Sequence, residues 1–182
     1  GIAFDSVNNR MYVTNRSDDT VSVINTATNT VTATITVGTG SRGIAFDSAN
    51  NRMYVTNYNA GTVSVIDTSD NTVTGPITVG DGPYGIEFDS ANNRMYVANY
   101  NAGTVSVINT ATNTVTATIT VGNLPLGIAF DSANNRMYVS NNGDDNVSVI
   151  DIAPFVATPT TTTTSSDCYD CTPPVLQSSH IT

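Results

Sequence analysis

Along the stretch VTATITV, residues 31 to 37, apolar and polar side chains alternate without a break. Val31, Ala33, Ile35 and Val37 fall on one side and the threonines on the other, the two-residue period of a β-strand with unlike faces. Shorter runs rich in Val, Ile, Tyr, Phe and Thr precede it. The first part of the chain therefore reads as four strands: Gly1 to Phe4, Arg10 to Thr14, Thr20 to Ile24 and Val31 to Val37. Asp5 to Asn9 and Asn25 to Asn29 separate them. These stretches are dense in Asn, Asp, Ser and Thr, whose short polar side chains bond to the local backbone in turns. No run of useful length has the apolar spacing of a helix.

The pattern recurs. Units opening at Gly1, Gly43, Gly85 and Gly127 align without insertion or deletion, 42 residues apart. Each begins GIAFDS (GIEFDS in the third) and continues through NNRMYV to VSVI. Three run on through NTVT to ITVG, whereas the fourth departs after Ile150. Four short antiparallel strands in about 40–45 residues is the spacing of a β-propeller blade. A sheet that is apolar on both faces is stable only between neighbours. We therefore expect an all-β chain of propeller blades, each of four antiparallel strands, incomplete at about four blades, followed by an irregular Thr-rich tail. The expected boundaries are 1–42, 43–84, 85–126 and an incomplete 127–153, then a Thr/Ser/Pro-rich linker at 154–171. For the missing outer strand of the fourth blade the sequence leaves several sources open. These are Phe155 to Thr164, weakened as a strand by Pro159, a strand from another chain, or none.

The repeats resemble the YVTN family of β-propeller repeats. The motif stands at Tyr12 to Asn15 and Tyr54 to Asn57, accompanied by TVSVIDT at Thr62 to Thr68 and PITVGDGPYGIEF at Pro76 to Phe88. The resemblance covers roughly residues 1 to 153. It implies blades of the kind found in secreted and surface-layer proteins, in rings usually closed at about seven. Beyond the linker, CTPPVLQSSHIT at 171–182 is similar to the opening of a hyalin-repeat (HYR) domain, an immunoglobulin-like module, so 172–182 is expected to begin one. The chain opens inside a repeat at Gly1, and we expect a piece of something longer.

Charge narrows the choice of partner. All six basic residues are arginine, 15 residues are acidic, and the net charge is −9. A nucleic-acid backbone or an anionic membrane would repel such a surface. No apolar run is long enough to span a bilayer. The expected partners are other copies of the chain or other surface proteins, in an extracellular or cell-surface setting, with no nucleic acid and no membrane insertion.

Chemistry is sparse. The only histidine is His180, and the only cysteines, Cys168 and Cys171, lie beyond the repeats. Their close spacing suits a disulfide better than a zinc site, which needs about four ligands. No metal or cofactor is expected. Asn15 and Asn146 begin Asn-X-Ser sequons and are glycosylation candidates. Variable positions fall in two loop sets: 16–19, 58–61, 100–103 and 142–145 after the second strand, and 39–42, 81–84 and 123–126 before the next first strand. In a four-stranded meander both sets share one end of the propeller. The ligand or partner candidates are accordingly Arg42, Tyr84 and Leu126 near the channel mouth, Tyr58 and Tyr100 in the loops, and Glu87, the one glutamate, expected to line the channel from a first strand. Drift in solvent-facing loops accounts for the same variation. The repeated Arg10, Arg52, Arg94 and Arg136 each follow an aspartate turn, and an Arg–Asp pair inside each blade is expected.

With no base, nucleophile or metal set visible, no catalytic residue is expected. The sequence points to a non-enzymatic structural or adhesive module that associates through open blade edges and variable loops. The alternative is a small-molecule-binding or lactonase-like hydrolytic propeller.

Overall fold

The computed structural model describes residues 1–152 with their side chains and residues 178–181 as backbone. Every regular element among the described residues is a strand, and the strands form four sheets of four. Blade 1 holds β1 (Ile2–Asp5), β2 (Arg10–Asn15), β3 (Thr20–Asn25) and β4 (Thr30–Thr36). Blade 2 holds β5 (Ser41–Asp47), β6 (Arg52–Asn57), β7 (Thr62–Asp67) and β8 (Val73–Thr78). Blade 3 holds β9 (Pro83–Asp89), β10 (Arg94–Asn99), β11 (Thr104–Asn109) and β12 (Thr114–Thr120). Blade 4 holds β13 (Pro125–Asp131), β14 (Arg136–Asn141), β15 (Asn146–Asp151) and β16 (Ser178–Ile181). Each sheet is an antiparallel meander, and the first strands β1, β5, β9 and β13 lie next to one another along the inside of an arc. This is the expected propeller architecture, and the strand bounds fall within a residue or two of those read from the first unit.

The fourth blade does gain an outer strand, and it comes from residues 178–181 of the same chain. Ile181 stands opposite Val147, as Ile35, Ile77 and Ile119 stand opposite Val21, Val63 and Val105. The stretch 155–164, Cys168 and Cys171 lie outside the described residues.

Packing between blades repeats. Tyr12, Val21, Val23 and Ile35 of blade 1 bury Ile44, Met53, Val55 and Ile66 of blade 2. The same positions join blade 2 to blade 3 and blade 3 to blade 4. Burying a Val, Ile or Met side chain is worth about 1.5–3 kcal/mol, so each joint is built from many such terms. The opening glycines make this fit possible. A Cβ on Gly43 would lie 2.3 Å from the carbonyl oxygen of Tyr84, and one on Gly85 2.3 Å from that of Leu126. At Gly127 the nearest atom is Oγ of Ser140, at 3.2 Å.

The Tyr-Val-Thr-Asn motif divides the joint's polar work. The Tyr54 hydroxyl donates to Oδ1 of Asn113 at 2.6 Å, reaching the next blade, as Tyr12 does to Asn71 at 3.1 Å. Burial pushes the Tyr54 phenol up to about 12, with Asp47 adding to the shift. Val55 is buried in the joint. Thr56 Oγ1 accepts from the Gly43 amide at 2.8 Å and donates to the Tyr84 carbonyl at 2.9 Å, bridging a bulge in its own sheet to the next blade. Asn57 Nδ2 donates to Thr62 and Ser64, tying β6 to β7.

The expected Arg–Asp pairs do not form as read. Asp5 is satisfied by its own turn, accepting from the amides of Val7 and Asn8 and from the Asn8 side chain. Asp47, Asp89 and Asp131 do likewise. With three hydrogen bonds already made inside the turn, the carboxylate is held there and the arginine finds other acceptors. Arg10 donates to the Thr68 carbonyl and Arg52 to that of Thr110, both on the next blade. Arg136 pairs instead with Asp151, at 2.8 Å. Each of these turns closes on an asparagine with φ of 52 to 54°, a left-handed conformation that Asn tolerates.

Candidate functional site

Two loop sets meet at one end of the arc. The amides of Tyr58 and Asn59 donate to the carbonyls of Gly40 and Thr39. Tyr100 and Asn101 repeat this with Gly82 and Asp81, and Asn142 and Gly143 with Leu124 and Asn123. The loop after each second strand is thus zipped to the loop that enters its own blade. Their residues differ, but they share one constraint: positions 19, 61, 103 and 145 all take positive φ and are Asp or Gly.

The zipped loops bring four of the six candidates into one cluster. The rings of Tyr58, Tyr84 and Tyr100 pack with centroids 6.1 to 6.3 Å apart, Tyr58 edge-on to Tyr84. Such spacing is that of favourable aromatic pairs. The Arg42 guanidinium carbon sits 4.2 Å from the centre of the Tyr58 ring and 4.4 Å from that of Tyr84. A cation over aromatic faces gains about 0.5–1 kcal/mol where solvent reaches it. The larger effect is to fix the plane of the guanidinium. Its Nε is buried and has no hydrogen-bond partner among the described residues. Tyr58 is held in turn by its hydroxyl, which donates to Oδ1 of Asn101.

Arg42, Tyr84 and the fifth candidate, Leu126, also line a groove of about 680 Å³ that runs along the first strands from Gly1 and Ile2 to Gly127 and Ile128. Its walls are mostly backbone and aliphatic. The polar side chains on it are Thr14, Arg16, Ser41, Arg42, Tyr84 and Ser140.

Glu87 is not on that wall, which corrects its reading as a channel position. It stands opposite Tyr96 in the sheet, as Ala45 stands opposite Tyr54 and Ala3 opposite Tyr12. Ala45 and Ala3 both pack into joints between blades, so Glu87 occupies the blade 3 face that meets blade 4. Burial there pushes its carboxyl up. The Tyr96 hydroxyl is buried without a partner among the described residues. Its counterparts reach Asn71 and Asn113, but the matching position in the fourth unit is Phe155.

Asn15 spends both hydrogens of its amide nitrogen on Thr20 and Ser22, at 3.0 and 2.8 Å, and glycosylation there would replace one of them and cost at least one of the bonds. Asn146 accepts from Asn141 through its oxygen, at 2.7 Å. Among the described residues no three His, Cys, Asp or Glu side chains come together as metal ligands, and no helix is long and apolar enough to cross a membrane.

The family model described as Lactonase, 7-bladed beta-propeller, matches residues 2–169. The chain belongs to that family. This overturns the expectation of a non-enzymatic module: the family is one of lactonase-type enzymes, and the whole repeat array, not one motif, carries the match. No curated protein matches the chain. Among solved structures it resembles the hydrazine synthase of Kuenenia stuttgartiensis, with a TM-score of 0.74 and 23% identity over 81% of this chain and 44% of that one. A functionally unknown protein of Desulfotomaculum acetoxidans gives 0.74 and 18%, over 85% and 51%. U3-55K gives 0.74 and 12%, over 83% and 48%. These likenesses show the propeller fold, and the chain spans about half the length of each structure.

Proposed function

We propose that this lactonase-family arc binds a small cyclic ester, and the hydroxy carboxylate formed from it, in the inner groove, with Arg42 as the group that meets its oxygen. The observation that carries the reading is the guanidinium clamped on two tyrosine faces at the groove mouth. In lactone hydrolysis water adds to the carbonyl carbon and negative charge builds on the carbonyl oxygen. A donor already held in place stabilises that charge without reorganising. When the ring C–O bond breaks, the product is a carboxylate, which a guanidinium accepts through two parallel hydrogen bonds. The aliphatic groove wall suits the carbon skeleton of such a ligand. Among the described residues the groove is lined by no carboxylate or imidazole, so the contribution we assign to this arc is oxygen binding and orientation.

The test is hydrolysis of a lactone panel, including glucono-δ-lactone and γ-butyrolactone, followed by pH-stat with the full chain. Turnover above the buffer rate is expected. Arg42→Lys keeps the charge but loses the planar fork, and should lower kcat/KM by about a hundredfold. Absence of turnover, together with no response of the groove amides to the product carboxylates by NMR, would refute the reading.

We also infer that the repeats are of the YVTN type and that the chain works outside the cell or at its surface. The Tyr12–Asn15 and Tyr54–Asn57 motifs, the sequon at Asn146 and the Thr-rich stretch at 154–171 support this.

A further inference from the structure

Blade 2 departs from the repeat at one place on its outer strand. Where β4 has Ala33–Thr34 and β12 has Ala117–Thr118, β8 has Gly75–Pro76. The register changes with the residues. In blades 1 and 3 the extra residue of the bulge is Thr32 or Thr116, and Ser22 and Ser106 stand opposite Thr34 and Thr118. In blade 2 pairing passes from Val63–Ile77 to Val65–Thr74, so Gly75 and Pro76 together face Ser64. Proline has no N–H to give to a ladder. Gly75 takes a φ of 107°, a value that residues with a side chain resist. Moving the bulge also releases a hydroxyl. Thr32 and Thr116 donate to the carbonyls of Val23 and Val107, whereas Thr74, at the same place in its unit, makes no such bond among the described residues.

A recess of about 430 Å³ lies at this bulge, on the outer side of the joint between blades 1 and 2. Val37 of blade 1 and Val73 and Pro76 of blade 2 form its apolar part, and Thr62, Ser64 and Thr74 line it with hydroxyls. Ser64 is only 5% exposed. Its Oγ accepts from the Asn57 side chain at 2.9 Å and from the Gly38 amide at 3.3 Å, which uses both acceptor positions of a hydroxyl. Thr62 Oγ1 accepts from Asn57 at 3.1 Å. Neither hydroxyl donates to another described residue, so their protons are free for a ligand. No charged side chain lines the recess among the described residues.

We propose that this recess is a second binding site, separate from the inner groove, and that it takes a neutral sugar ring. A pyranose presents ring and hydroxyl oxygens along its edge, which accept from Ser64, Thr62 and Thr74. Its C–H face packs on Val37, Val73 and Pro76. A charged ligand would give up its water here without meeting an opposite charge. The volume is within the range of small-molecule sites, about 300–1,000 Å³. Bulges serve elsewhere to re-aim side chains beside a site, and here the bulge removes the threonine that would stand opposite Ser64. A free sugar and the terminal residue of a longer glycan offer the same edge and face.

The experiment is an NMR titration of the full chain, which involves no turnover and so stands or falls apart from the lactone reading. The probes are glucose, galactose and N-acetylglucosamine as free sugars, maltotriose as a chain end, and glucuronate and glucosamine as charged counterparts. Saturable shifts of the Gly38, Thr62 and Gly75 amides are expected with at least one neutral probe, and the arm that responds separates free sugar from chain end. Gly75→Ala combined with Pro76→Thr restores the residues that blades 1 and 3 already fold with, and should abolish the shifts without lowering the thermal midpoint. Thr74→Val keeps the shape and removes one donor, and should weaken binding by roughly two- to tenfold. Thr116→Val, the same change in blade 3, should leave binding unaltered. No saturable shift with any neutral probe, binding that survives the double substitution, equal binding of the charged sugars, or shifts confined to the amides around Arg42 would each overturn the site.

Discussion

Residues 20–38 of blade 1 and 104–122 of blade 3 are the same nineteen residues, TVSVINTATNTVTATITVG, and they fold to the same strands with the same register. Their burial agrees on one face and differs on the other. Val21 and Val23 are as fully enclosed as Val105 and Val107, because both pairs look toward a following blade. Ser22, Ile24 and Thr26 are only half-buried, while Ser106, Ile108 and Thr110 are closed off. Identical sequence thus produces an interior blade or an end blade according to what stands beside it. Local pattern makes the sheet, and the neighbour makes the core.

The comparison breaks most sharply at the isoleucine. Ile108→Ala opens a cavity in a closed joint and should cost about 2–5 kcal/mol. Ile24→Ala, at the same place in the same nineteen residues, should cost less than about 1 kcal/mol. Urea denaturation of the two variants measures the gap. Equal losses would mean that the stability of these blades is set within each sheet and not between sheets.

A smaller effect is expected at the opening glycines. Gly85→Ala drives a Cβ to 2.3 Å from the Leu126 carbonyl oxygen, a backbone atom that moves only if blade 4 moves. The resulting strain should cost about 1–3 kcal/mol. Gly127→Ala meets only the Ser140 hydroxyl at 3.2 Å, and should change stability by no more than about 0.5 kcal/mol. A shift in thermal midpoint for Gly127→Ala as large as that for Gly85→Ala would contradict the view that the opening glycine exists for the next blade.

The contrast also explains what could be read from the sequence. Alternation and turn chemistry are local, so the strands of each unit and the loop sets at one end were legible from Val31 to Val37 and from Asp5 to Asn9. The roles of Arg42, Tyr58, Tyr84 and Tyr100 were legible only one at a time, because their stacking depends on the distance between blades. Glu87 was assigned to the wrong surface for a related reason: the bulge between the first and second strands re-phases the residues before it, and a simple count from Tyr84 loses step. The Arg–Asp pairing failed because the backbone amides of the turn, which carry no letter in the sequence, had already taken the carboxylate. The strand at Ser178–Ile181 lacks both alternation and repeat, and the sequence there was read as the opening of a separate module instead of the edge of blade 4. The enzymatic family stood only as the alternative reading, because histidine and cysteine, the residues that most often announce catalysis, are absent from the blades.

Blade 3 itself departs from the pattern at one buried place, and this gives the finest test. Thr14 and Thr56 donate to the carbonyls of Arg42 and Tyr84, and Thr56 and Ser140 accept from the amides of Gly43 and Gly127. The third blade carries Ala98 there, fully buried, with no hydroxyl to offer the Gly85 amide or the Leu126 carbonyl. Ala98→Thr should restore both bonds in a space that its counterparts show to be the right size. The expected gain is about 1 kcal/mol, the net value of a hydrogen bond or two after water is displaced. Thr56→Ala should lose a similar amount. Hydrogen exchange at the Gly85 amide reports the new bond directly, slowing in Ala98→Thr if the hydroxyl meets it. Faster exchange with lower stability would mean instead that the joint between blades 3 and 4 has closed around the methyl group and has no room for the oxygen.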